Sequence, residues 1–60
     1  MLPRVKIFTC DFGYLEEGLQ EVLTEIAVEE EGHVLTVSQV VDDGPNGVQV
    51  VTTIVYNVQG

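Results

Sequence analysis

Val48-Gln49-Val50-Val51-Thr52-Thr53-Ile54-Val55-Tyr56-Asn57-Val58 is the stretch on which the fold turns. Val48, Val50, Thr52, Ile54, Tyr56 and Val58 share one parity and make a nearly continuous apolar face. Gln49, Val51, Thr53, Val55, Asn57 and the following Gln59 make a mixed one. Side chains of a strand alternate between its two faces, so this pattern predicts a strand over about 48–58, sheltered on one side and partly apolar on the other. Such a strand belongs in the middle of a sheet, with a neighbour on each edge.

The first neighbour lies just upstream. Leu35, Val37 and Val41 alternate with Val34, Thr36, Ser38 and Val40, predicting a strand over about 34–42. Asp43-Gly44-Pro45-Asn46-Gly47 joins the two runs as a five-residue hairpin loop. The second neighbour opens the chain over about 4–9, where Val5, Ile7 and Thr9 point one way and Arg4, Lys6 and Phe8 the other, wetter way. Between them the period changes. Leu15, Leu19, Val22, Leu23 and Ile26 fall on one stripe of a helix over about 13–30. Asp11 or Gly13 serves as its cap, Gly18 marks a close approach to the sheet, and Gly32 ends the element in a left-handed conformation.

The expected fold is therefore α+β: one domain over residues 1–60, in the order β-α-β-β, with a three-stranded sheet ordered 1-3-2 and a helix across one face. The helical connection lets the first two strands run parallel, and the hairpin sets the third against the second. This is half of a ferredoxin-like unit.

Composition narrows the functional classes. Twelve of the 60 residues are valine and 45% are hydrophobic, which favours strands and excludes intrinsic disorder. No run approaches the ~20 apolar residues of a membrane span. A single cysteine excludes an internal disulfide framework. A net charge of -8 argues against direct nucleic-acid binding. No signal-peptide pattern opens the chain, and the unpaired Cys10 suits a reducing compartment, so the expected location is the cytoplasm.

A domain of this size buries only about 60% of the surface its unfolded chain exposes. With no disulfide or metal motif in support, self-association is the remaining device, and a homo-oligomer is expected. One helix covers one face of the sheet; the other would expose Val51 and Val55 with Val34 and Val40 nearby, and these four residues form the expected self-association surface.

The acidic residues form the most distinctive motif. Glu17, Glu21, Glu25 and Glu29 recur every fourth residue along the helix, about 6 Å apart in rise. The ladder either keeps the protein soluble or faces a basic protein partner in the manner of a phosphate row. Glu29-Glu30-Glu31-Gly32-His33 and Asp42-Asp43 lack the order of a calcium loop, and Cys10 with His33 falls two ligands short of a structural zinc set. Cys10 stands beside Asp11 with no visible base, so no nucleophile is assigned. Gly44-Pro45-Asn46-Gly47 joins two strands after two aspartates and reads as a turn rather than a nucleic-acid clamp. No catalytic residue, metal site or cofactor is expected.

Arg4-Val5-Lys6-Ile7-Phe8 at the start, Leu15-Glu16-Glu17 opening an acidic helix and Ile54-Val55-Tyr56 near the end resemble the small sporulation-associated proteins of spore-forming bacteria, which also occur on mobile elements. The resemblance spans the chain except the loop from Gly44 to Gly47, implies a bacterial source, and brings no enzymatic activity with it. The strand-helix-strand-strand order is also similar to the dodecins, flavin-storage proteins that assemble into hollow shells. Their flavin site uses tryptophan, and this chain has none.

The leading expectation is a non-catalytic, self-associating acidic protein that acts as a binding or accessory module. One alternative is a phage- or mobile-element-encoded inhibitor that presents the glutamate ladder to a basic nucleic-acid-binding site. Another is storage or sensing of a small molecule between subunits.

Overall fold

The computed structural model describes residues 1–59. Strand β1 spans Leu2–Cys10, helix α1 spans Leu15–Val28, β2 spans His33–Gly44 and β3 spans Gly47–Val58. The sheet order is β1-β3-β2, and β3 is antiparallel to both neighbours. The edge strands therefore run parallel to each other, as a helical crossover requires. The α+β architecture and the central place of the last strand are as the alternation implied.

The boundaries differ from expectation at three places, each with a local cause. Neither Asp11 nor Gly13 caps α1 itself, which follows Tyr14 with no side-chain cap; Asp11 Oδ1 accepts the Tyr14 N–H at 2.9 Å and caps a single 3-10 turn, Phe12–Tyr14, ahead of it. The helix stops at Val28, and Glu31, not Gly32, takes the left-handed conformation, with φ 51°. Gly32 follows because space is lacking. Its N–H donates to the Ile26 carbonyl at 2.8 Å, and a Cβ there would sit 2.7 Å from Ile26 Cγ2 and 2.9 Å from Tyr56 Cδ2. The hairpin is also tighter than five residues. Gly44 pairs with Gly47, so only Pro45 and Asn46 turn the chain, and Gly47 adopts φ 106°, a value open to glycine.

The core lies between α1 and one face of β3. Ile26, Ile54, Tyr56 and Val58 are buried, with Phe8, Leu19, Val22, Leu23 and Val34 packed around them. Thr52 is buried on the same face, and its hydroxyl accepts from the Gln39 side-chain amide at 3.4 Å. Gly18 is buried as well; a Cβ there would stand 3.4 Å from Phe8 of β1 and 3.1 Å from the Tyr14 ring. The expected close approach to the sheet is made through these two rings.

Strand β2 carries an irregularity that the alternation concealed. Val34 lies opposite Tyr56 and Thr36 opposite Val55, so Leu35 is an extra residue with no partner on β3. Parity is reset there. Val34 shares the helix-covered face with Val37, Gln39 and Val41, whereas Thr36, Ser38 and Val40 turn to the other. The two strands of the hairpin also outrun the helix. Fourteen helical residues rise about 21 Å, whereas the molecule is 40 Å long. Val48, toward the hairpin, is exposed, and Val37 and Val41, opposite the buried Ile54 and Val50, are exposed because they stand on the edge strand.

Candidate functional site

The uncovered face ends in polar rows, Pro3, Asn57 and His33 at one end and Gln49 with Asp42 at the other, and three rows fill its middle. Val5, Val55 and Thr36 form one; Ile7, Thr53 and Ser38 the next; Thr9, Val51 and Val40 the third. Every residue in these three rows is apolar or a small hydroxyl, and none is ionisable. Branched residues give this face its regular spacing, because their χ1 freedom is small on a pleated surface. The middle strand is half-buried by its two neighbours, but Val5 is 58% exposed, and Ile7 and Val40 are 65% exposed.

Of the four residues expected to associate, Val40, Val51 and Val55 share this face. Val34 does not: the extra residue at Leu35 turns it toward the helix, where it packs on the core. Val5 and Ile7 take its place. Their exposure follows from the other half of β1, since Arg4, Lys6 and Phe8 occupy the helix side. The wetter face of β1 is thus the one toward the helix.

That arrangement is explained by an ionic clip. Lys6 Nζ donates to Glu25 Oε1 at 2.7 Å and to Glu30 Oε2 at 2.8 Å, while Arg4 Nη1 donates to Glu30 Oε1 at 3.2 Å. Tyr56 Oη, rising from the core, donates to Glu30 Oε1 at 2.9 Å. Hydrogen bonds from Lys6 and then Tyr56 hold the Glu30 carboxyl below its ordinary value. The two carboxylates, Glu25 first, push the Lys6 ammonium well above the usual lysine range. Burial, and then Glu30, raise the Tyr56 phenol. The chain's two cations both serve to tie β1 to the end of α1. Spacing by two placed Arg4 and Lys6 on one face of the strand, but their partners lie 19 to 26 residues away and had no local signature.

The glutamate ladder is not a uniform row of free charges. Glu25 is engaged by Lys6, and Glu21 accepts from Tyr14 Oη at 2.8 Å, a contact that raises the Tyr14 phenol. Glu17 and Glu29 are exposed, and Glu16 and Glu17 occupy the first turn, where the helix dipole favours negative charge. Cys10 and His33 are far apart. They pair with Val50 and Asn57 of β3, seven residues and roughly 23 Å from each other along the strand. Among the described residues, no three His, Cys, Asp or Glu side chains converge as a metal site, and no helix is long and apolar enough to cross a membrane.

A scan against protein-family models finds no match, and neither the curated proteins nor the solved structures give one.

Proposed function

We propose that this protein is a non-catalytic, self-associating accessory module, and that two copies meet through their uncovered sheet faces. The observation that carries the reading is the run of exposed Val5, Ile7 and Val40 around Val51 and Val55, with no charged side chain among the three rows. Monomeric proteins seldom leave a contiguous apolar face open. The total surface agrees in sign: 4285 Å² is exposed, against roughly 3,900 Å² for a monomer of this mass. Charge supplies the specificity. The strongly acidic helix layer lies on the far side of the sheet, so stacking the uncovered faces through their uncharged middle rows keeps the two acidic layers apart.

Size-exclusion chromatography with light scattering at low micromolar concentration tests the reading. The expected result is an oligomer whose mass falls when Ile7→Lys places a charge in the middle row. A folded wild-type monomer, or an Ile7→Lys variant of unchanged mass, overturns it.

A further inference from the structure

Besides its open face, the sheet has two open edges, and they differ in kind. The β1 edge carries Pro3, Arg4 and Lys6, and beside it the helix flank presents Glu25. Proline and charge are the usual means of blunting an edge against pairing. The β2 edge is guarded only near its ends, by the extra residue Leu35 at one and by Asp42 and Asp43 at the other. From Val34 to Val41 it contains no proline and no charged residue. On the helix side Val41 is 57% exposed, with Val37 beside it. A helix turns about 100° per residue, so Leu23 and Ala27 lie on the flank away from Glu25, the β2 side. There, with Leu19, Glu16, Gln20 and Thr24, they line a shallow groove of about 410 Å³ along the helix.

We infer that the β2 edge pairs antiparallel with β2 of a second copy of this chain, about a two-fold axis at Gln39, as a contact separate from the open face. The register follows from the faces. For both helices to lie on the same side, each residue must oppose one of its own parity, and an axis at Gln39 sets Val37 against Val41 of the other copy. Ser38 then opposes Val40, and Thr36 opposes Asp42, so apolar meets apolar on the helix side and no two acids face each other. Gln39 meets itself, with its amide already anchored to Thr52. Seven paired residues extend about 23 Å, and the flanks of the two helices close over Val37 and Val41 from both sides. A contact of that length and on the order of 15–20 Å high covers roughly 400 Å² per copy, about 800 Å² in all, the size of a weak contact. Edge pairing joins two sheets into one of six strands, and stacking two of these by their open faces gives a closed tetramer with perpendicular two-folds.

Native mass spectrometry of the wild type, Val41→Lys and Ile7→Lys separates this contact from the open-face one. Wild type is expected as a tetramer and each variant as a dimer. Gln39→Cys in a Cys10→Ser background is expected to form an inter-chain disulfide on mild oxidation, both with and without Ile7→Lys, and to lose it when Val41→Lys is added. Circular dichroism confirms that each variant is folded; Val37→Lys replaces Val41→Lys if that one is not. A folded edge variant that keeps the wild-type mass, or a folded Gln39→Cys oligomer that does not cross-link, overturns the edge contact. An Ile7→Lys variant of unchanged mass overturns the open-face contact alone.

Discussion

Gly32→Ala is the most demanding test of the packing at the end of the helix. The added methyl carbon would lie 2.7 Å from Ile26 Cγ2, 2.9 Å from Tyr56 Cδ2 and 3.3 Å from the Ile26 carbonyl oxygen. Carbon atoms in contact sit about 3.5–4.0 Å apart, so two side chains must each retreat by several tenths of an ångström. Neither has room, because Ile26 is fully buried and Tyr56 is 2% exposed. Overpacking of this kind costs about 1–3 kcal/mol, while the stiffer unfolded chain returns about 0.4–1 kcal/mol. The net expectation is a loss of about 1–2 kcal/mol. That is a large part of the roughly 3–9 kcal/mol that a chain of this length commands. Urea unfolding at one fixed protomer concentration is the assay, with an unchanged slope and a lowered midpoint expected. Gly44→Ala, where a Cβ meets nothing within 4 Å, is the matched control and should be neutral or slightly stabilising. If Gly32→Ala unfolds at or above the wild-type midpoint, the account of the helix end is wrong.

Two further outcomes follow from the same region. Glu31→Gly relieves a left-handed φ of 51° at a residue with a Cβ and is expected to gain about 1 kcal/mol, seen as a rise of roughly 4–8 °C in Tm for a domain of this size; no rise would mean the conformation is not strained. Glu30 has its folded pKa below the ordinary value of 4.5, so its share of stability is present above that pH and lost as pH falls through the folded pKa. The urea midpoint of Glu30→Gln should therefore trail wild type at pH 7 and approach it as pH falls below 4.5, and a gap that stays constant with pH contradicts the clip.

How much of this was legible in the residues depends on how local the cause was. The element order follows from short-range periodicity: Leu15, Leu19, Val22, Leu23 and Ile26 need a helical turn, and Val48 to Val58 need a pleat. The strand order followed from the two-faced pattern of β3. Three features escaped. Asp11 and Gly13 are both competent caps, but a 3-10 turn capped by Asp11 intervenes and α1 starts later, at Leu15. The destination of Arg4 and Lys6 depended on Glu25 and Glu30, which no local rule connects to them, so the inversion of β1 with its apolar side outward was not visible. Val34 was misplaced because a strand is counted in twos, and Leu35 adds one.

That single unpaired residue has a consequence for comparing this chain with others. Removing Leu35 would leave Val34 opposite Tyr56 and Thr36 opposite Val55, in an unbroken ladder with every other partner in place. Removing any residue between Thr36 and Val41 would instead turn part of β2 over, sending Val37 or Val41 to the side now occupied by Thr36, Ser38 and Val40. A one-residue gap in an alignment over this strand therefore belongs at position 35, and a gap drawn a few columns later describes a molecule with its valines on the wrong side.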